Sequence, residues 1–121
     1  RSFERQTMVN RSENMPVRIE ENFRGGTGEV IIKDLTAGKK PGSVRDCNEM
    51  TLIRGCPVGF HSHNGVGEVI YVLHGEGVYS DGEAETHVRA GDALVCFDGE
   101  GHAIRNEREA PLKILAFIVA E

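Results

Sequence analysis

Aromatic side chains are scarce in this sequence, and tryptophan is absent. Phenylalanine and tyrosine make up 6% of the 121 residues, whereas hydrophobic residues as a whole make up 39%. At this length we expect one domain with a single modest core. That core has to be built mainly from valine, isoleucine and leucine, which favours a β-sheet protein over a helix bundle. The 15 glycines, against 4 prolines, favour the same class because tight turns use residues that tolerate positive φ.

Positive charge and long apolar segments are also lacking. The net charge is −5, which argues against nucleic acid as a partner because phosphates require a basic surface. No apolar run approaches the roughly 18 residues that cross a bilayer, so no membrane association is predicted. The N-terminal sequence RSFERQTMVN contains no apolar segment typical of a secretory signal.

The cysteines, Cys47, Cys56 and Cys96, do not form the pattern of a disulfide framework. Their number is odd and no CxxC pair occurs, so a reduced, cytoplasmic location is predicted. Cys96 lies in the apolar run ALVCF and is interpreted as a small core residue. Cys56 lies close to the histidine motif described below and is either a packing residue or an extra soft ligand.

Short extended segments separated by glycine-rich turns fill most of the chain. About nine segments either alternate apolar and polar residues or are rich in β-branched residues. Turn signals recur roughly every eight to twelve residues, a spacing typical of an all-β sandwich or barrel. No window shows the apolar stripe of an amphipathic helix. We therefore predict one β domain over residues 15–121, preceded by a flexible N-terminal arm or tag remnant over residues 1–14.

The stretch FHSHNGVGE, residues 60–68, contains two of the five histidines. Side chains at positions i and i+2 of a strand face the same side, about 6.6 Å apart. His61 and His63 therefore present their imidazoles together. The Asn-Gly turn that follows folds the chain back, so Glu68 opens the next strand beside the histidines. This convergence indicates a metal site rather than a chance cluster in a solvated loop.

A fourth donor is available in AGDALVCFDGEGHAIRN, residues 90–106, where His102 follows a glycine-rich turn. This segment has the form of a strand, a turn and a second strand. From the residues alone its position beside the first histidine pair stays open, because only the fold can bring the two segments together.

Residues 55–75 and 91–106 together resemble the two conserved motifs of the cupin superfamily. The first, GCPVGFHSHNGVGEVIYVLHG, has glycine, five residues, His-x-His, four residues, glutamate, six residues and glycine. The second, GDALVCFDGEGHAIRN, matches at Gly91, Gly99, His102 and Asn106. It departs from the family at Phe97, where proline is usual. The two motifs occur in the family's order with a gap of 15 residues, which makes the resemblance specific.

The resemblance implies an all-β double-stranded β-helix, or jelly-roll barrel, as the fold. It also implies that the metal ligands are His61, His63, Glu68 and His102. Three imidazoles and one carboxylate would leave an octahedral divalent ion with two open positions and a net charge of about +1. Manganese, iron, nickel, cobalt, copper and zinc all accept these donors. The resemblance further implies a homodimer, which the outward apolar positions Val69, Tyr71 and Leu73 favour.

Several other side chains are candidates for acid–base or substrate-anchoring roles. They are Tyr79, His74, Arg54, Glu49 and Arg105. By strand parity His74 shares the face of Glu68, where it either lines the cavity or is hydrogen-bonded within the barrel. For Asn106 a structural hydrogen-bonding role is favoured. The GGTG stretch at residues 25–28 is interpreted as a flexible turn, because no Lys-Ser/Thr pair follows it.

The resulting hypothesis is a small metalloenzyme of dioxygenase, decarboxylase or isomerase type. Its substrate would be a small organic acid, a dicarbonyl compound or a sugar derivative, and its cofactor one divalent transition metal ion. The alternative is a non-catalytic module that binds or senses a small anionic or polyoxygenated molecule. An enzyme should carry a second acid–base group within reach of the metal, whereas a binding module needs none.

Overall fold

Residues 9–121 are described by the computed structural model, and they form ten β-strands and two single-turn 3-10 helices. The strands are β1 (Val17–Glu21), β2 (Glu29–Asp34), β3 (Val44–Leu52), β4 (Val58–Ser62), β5 (Val66–His74), β6 (Glu76–Ser80), β7 (Glu85–Arg89), β8 (Ala93–Cys96), β9 (Gly101–Arg105) and β10 (Leu112–Ala120). The 3-10 turns are Ser12–Asn14 and Phe23–Gly25. The count is one more than the roughly nine extended segments predicted from the sequence. No helix within these residues has the length and apolarity to cross a bilayer.

Two antiparallel sheets face each other and enclose the core. The larger sheet has the strand order β1-β2-β3-β10-β5-β8, and the smaller has the order β4-β9-β6-β7. Neighbours in space are often distant in sequence: β10 lies between β3 and β5, and β9 lies between β4 and β6. This arrangement is the jelly roll, so the predicted fold class is confirmed.

Strict alternation on the central strands builds the core. On β10 the residues Leu112, Ile114, Ala116 and Ile118 are buried, while the residues between them are partly exposed. On β5, Ile70 and Val72 point the same way as Glu68, as a period of two residues requires. Fully burying an aliphatic side chain of this kind contributes about 1.5–3 kcal/mol, so these strands hold the sheets together through the interior.

The predicted N-terminal arm falls partly outside the described residues, since residues 1–8 are not among them. Two side chains of the arm's remaining part contact β2 or the residue that follows it. Asn10 Nδ2 donates a hydrogen bond of 3.0 Å to the Leu35 carbonyl, and Lys33 Nζ donates one of 2.5 Å to Ser12 Oγ. The described end of the arm therefore lies against the barrel.

The connection between β1 and β2 packs tightly onto β4. A Cβ atom on Gly26 would lie 2.3 Å from the Pro57 carbonyl oxygen, and one on Gly59 would lie 2.3 Å from the Arg24 carbonyl oxygen. Real Cβ atoms do not approach backbone so closely, so the contact requires glycine on both sides. The GGTG stretch, predicted to be only a flexible turn, is thus fixed against the strand that carries His61.

Candidate metal centre

Three strands and one strand end bring four ligand groups together. His61 lies on β4 directly opposite His102 on β9, and Glu68 lies near the start of β5. His63 follows the last residue of β4, and its amide donates to the Glu100 carbonyl. Ligand atoms of all four side chains lie within 4.8 Å of one another. The fold thus supplies the placement of His102 that the residues alone left open.

The distances within the cluster match the spacing of ligands around one ion. Nε2 of His63 is 3.0 Å from Nε2 of His102, and Oε1 of Glu68 lies 3.0 Å and 2.8 Å from these two nitrogens. Two nitrogens that each lie about 2.1 Å from a metal ion at a right angle are separated by about 3.0 Å. The donor set and its spacing therefore fit a divalent transition metal ion without rearrangement of these three side chains.

Hydrogen bonds orient two of the imidazoles for ligation. Nδ1 of His61 lies 2.9 Å from the Gly59 carbonyl, which can only accept, so Nδ1 carries the proton and Nε2 keeps its lone pair. Nδ1 of His102 lies 2.7 Å from the Tyr79 hydroxyl. Nε2 of His102 lies 2.8 Å from the Glu68 carboxylate and donates to it, so metal binding at Nε2 would move this proton to Nδ1, where the Tyr79 hydroxyl can accept it. Such outer partners fix the tautomer and orientation of ligating histidines.

Burial and charge set the protonation states that ligation needs. Burial lowers the pKa of His61 below its usual value, which favours the neutral imidazole. Burial alone would raise the pKa of Glu68, but the hydrogen bond from His102 and the surrounding imidazoles lower it further than burial raises it. Glu68 is therefore held as a carboxylate. Its side chain and those of His63 and His102 are only 5%, 3% and 3% exposed.

A cavity of about 100 Å³ opens beside the cluster, and His61, Glu68 and His102 form part of its wall. Its apolar wall consists of Phe23, Met50, Val58, Ile70, Ala103, Ile104, Ile114, Ala116 and Ile118. Its other polar residues are Arg18, Arg24, Asp46 and Asn48. Sequence reasoning missed both arginines. The one usable signal was a basic residue inside a glycine-rich connection, since loops of this kind often carry binding residues.

Tyr79 lies at the site, but as the partner of a histidine. Its hydroxyl contacts His102, and burial raises its pKa well above the usual value, so the phenol stays protonated at neutral pH. This position suits a group that holds His102 in place.

The remaining acid–base and anchoring candidates lie away from the cavity. Arg54 is 61% exposed on its side chain and pairs with Glu109. Glu49 faces outward and lies 3.6 Å from Lys113 Nζ. The parity prediction for His74 is wrong: the register of β5 against β10 shifts between Lys113 and Ile114, the alternation ends there, and His74 is exposed.

Asn106, Arg105 and Cys56, which the sequence also singled out, all lie outside the ligand cluster. Asn106 is buried and donates to the Leu52 and Ala110 carbonyls, so its predicted structural role is confirmed. Arg105 pairs with Glu85 and Glu107 at the surface. Cys56 is absent from the ligand cluster, and its side chain lies against Gly28.

The sequence model of the cupin domain matches residues 48–118, more than half of the chain. The protein therefore belongs to the cupin family, as the two motifs indicated. Among curated proteins, an oxalate-binding protein of Thermotoga maritima is 38% identical over 113 residues, which is 93% of each chain.

Solved structures show the same relationship. A predicted oxalate decarboxylase from Thermotoga maritima superimposes with a TM-score of 0.86 at 35% identity, over 94% of this chain and 100% of that one. A sugar phosphate isomerase of the cupin superfamily from Silicibacter pomeroyi gives a TM-score of 0.77 at 21% identity, over 95% of this chain and 76% of that one. At the lower identity the likeness extends to the fold alone.

Proposed function

We propose that this protein binds one divalent transition metal ion through His61, His63, Glu68 and His102 and uses it to hold a small chelating anion of the oxalate class. The observation that carries the proposal is the convergence of four buried or half-buried donors, at ligand spacing, on the wall of a cavity. When bound, the ion supplies a Lewis acid that attracts carboxylate oxygens. The similarity to an oxalate-binding protein supports this choice of ligand class.

The charges around the cavity favour an anion. Three neutral imidazoles and one carboxylate leave a divalent ion with a net charge of about +1. Arg18 and Arg24 add positive charge to the same cavity, and Asp46 offsets one of them. Because much of the wall is apolar, attraction between these charges and a dianion is screened less than in open water.

A binding role accounts for the cavity better than a catalytic one. Within residues 9–121 the ionisable groups on the cavity wall, apart from the ligand cluster, are Arg18, Arg24 and Asp46. Neither arginine is a proton donor at neutral pH, and Tyr79 is held to His102. Asp46 alone remains as an acid–base group, and its half-exposed carboxylate lies 3.7 Å from Lys40 Nζ, which favours its ionised form. We therefore place the alternative, a metal-dependent binding protein for small chelating acids, ahead of the metalloenzyme that the sequence analysis put first.

Calorimetry tests the proposal directly. Oxalate and acetate are titrated into metal-loaded and metal-stripped protein, with His102→Ala as the matched variant. We expect oxalate to bind the loaded protein at least about tenfold more tightly than acetate, a difference of about 1.4 kcal/mol. Stripping the metal or removing His102 should abolish this preference. Equal affinities in all titrations would contradict the proposal.

Decarboxylation of oxalate is the second candidate, because a similar solved structure is described as a predicted oxalate decarboxylase. The reaction would convert hydrogen oxalate to formate and carbon dioxide, with the proton retained on formate. Metal-loaded protein is incubated with oxalate, and formate is measured. Formate produced in proportion to protein, and lost in Asp46→Asn, would favour catalysis over simple binding.

We also propose that a second copy of the chain covers the outer face of the larger sheet. This face carries exposed apolar residues: Val69, Tyr71 and Leu73 on β5, Val95 on the neighbouring β8, and Ile31 on the more distant β2. Val69 and Val95 lie directly opposite each other in the β5–β8 register. Val95→Glu should convert a dimer to a monomer in sedimentation, whereas Thr86→Glu on the smaller sheet should not. A monomeric wild-type protein at micromolar concentration would contradict this proposal.

A further inference from the structure

The connection between β1 and β2 holds an arginine at the cavity in an unfavourable backbone conformation. Arg24 has φ 54° and ψ 36°, and Asn22 has φ 51°, both in the left-handed region. For a residue with a Cβ atom this region costs roughly 1–2 kcal/mol. Asparagine tolerates it comparatively well, but arginine does not. The contact of Gly26 and Gly59 with the neighbouring backbone keeps the segment in place despite this cost.

The guanidinium of Arg24 differs from that of the other arginine on the cavity wall. Arg18 Nε lies 2.9 Å from Glu20 Oε1 and is therefore already paired. For Arg24, no carboxylate among residues 9–121 lies within ion-pair distance of 4.0 Å. Its guanidinium carbon lies over the ring of Phe23, 5.5 Å from the ring centroid. The charge of Arg24 is thus available to a ligand.

The carboxylate that shares the wall with Arg24 is engaged elsewhere. Asp46 Oδ1 lies 3.7 Å from the Nζ atom of Lys40, a residue that is not part of the cavity wall. Arg24 lies on the same cavity wall as three members of the ligand cluster, which are His61, Glu68 and His102. An unpaired arginine and a metal-ligand cluster therefore share one small cavity.

We propose that Arg24 binds the outer carboxylate oxygens of a dianion whose inner oxygens lie at the cluster, so that the site selects small dicarboxylates over chelating monoanions. A planar guanidinium matches two carboxylate oxygens with parallel hydrogen bonds, which a lone metal ion cannot do. The inference rests on the function proposed above and adds the residue that sets its ligand class.

The test compares two chelating ligands that differ in charge. Oxalate carries two carboxylates, whereas glycolate chelates through one carboxylate and one hydroxyl. Both are titrated into metal-loaded wild-type protein, into Arg24→Asn and into the matched control Arg54→Asn. Asparagine retains tolerance of the left-handed conformation, so the substitution removes the guanidinium without adding backbone strain. Bound metal and the thermal unfolding midpoint are measured for each protein.

We expect Arg24→Asn to weaken oxalate binding at least about tenfold and glycolate binding less than about twofold, as loss of a charge-assisted carboxylate pair predicts. Bound metal should stay equal to that of wild type, and Arg54→Asn should change neither affinity. Oxalate affinity within twofold of wild type, or an equal loss for both ligands, would overturn the role of Arg24. Failure of loaded wild-type protein to bind either ligand would instead overturn the proposed function itself, and this inference with it.

Discussion

The two halves of the barrel interior are built on the same strands but differ in content. On β5, Glu68 lies in the half with the ligand cluster, whereas Val72 lies in a fully buried apolar half. On β10 the same division separates Ile118, which lines the cavity, from Leu112, which does not. In the apolar half, Leu52, Leu112, Val30 and Val72 are completely buried and are not part of the ligand-cavity wall. The comparison indicates that folding and ligand binding rest on separate sets of side chains.

The polar half satisfies its buried groups internally. Within the described residues, no buried side-chain nitrogen or oxygen lacks a hydrogen-bond partner. His63, Glu68 and His102 achieve this by contacting one another, together with Tyr79. The side chains of this cluster contact one another and are not part of the apolar core. We therefore expect loss of one of them to reduce metal binding more than it reduces the stability of the fold.

The largest expected effect separates metal binding from folding. His102→Ala removes a ligand and should lower metal affinity by more than about 100-fold, since loss of an outer partner alone typically costs 10–100-fold. The fold should survive because the apolar half is untouched. Metal competition with a chelator and far-ultraviolet circular dichroism measure the two properties. Joint loss of metal and fold would show that the two halves are coupled.

A substitution in the apolar half should have the opposite effect, lowering stability without changing metal binding. Leu112 is completely buried and pairs with Leu52 across β10 and β3. Leu112→Ala should lower the free energy of unfolding by about 2–5 kcal/mol, because it deletes buried methyl groups and leaves a cavity. The protein that remains folded should still bind metal with wild-type stoichiometry. Urea unfolding and metal analysis of the same sample check both statements.

The smallest expected effect concerns the hydroxyl of Tyr79, which contacts the ligand cluster through His102. Tyr79→Phe removes the 2.7 Å hydrogen bond to His102 but keeps the ring. Metal affinity should fall by about 10–100-fold, as is usual when the partner of a ligating histidine is lost. Ser80→Ala on the same strand is the control, since the Ser80 hydroxyl accepts a hydrogen bond from the Gly82 amide in the neighbouring turn. Unchanged affinity in Tyr79→Phe would leave the tyrosine without a role in orienting His102.

Much of the fold and the ligand set could be predicted because their signals are local. Alternation along β5 and β10 reflects one buried face, and a period of two residues is visible in any short window. His61 lies near the end of β4 and His63 just after it, two positions along the chain, and the Asn-Gly turn brings Glu68 to them. His102 required the resemblance to a family, because the pairing of β4 with β9 joins segments about 40 residues apart.

The rest of the cavity could not be predicted because it depends on tertiary contacts. Arg24 reaches the site through the approach of Gly26 to Gly59, which no local pattern shows. The error over His74 has a similar origin, since a register shift in the neighbouring strand pair interrupts the alternation that parity assumes. Local periodicity places residues on faces, whereas bulges and packed loops decide which faces meet a ligand.

Metal stoichiometry is the most direct test of the account. Purified protein is loaded in turn with manganese, iron, nickel, cobalt, copper and zinc, dialysed, and analysed by inductively coupled plasma mass spectrometry beside His102→Ala. We expect about one ion per chain for at least one of these metals in the wild type and almost none in the variant, since the four donors form a single site. Absence of bound metal from folded wild-type protein with every one of these ions would contradict the assignment of His61, His63, Glu68 and His102 as a metal site.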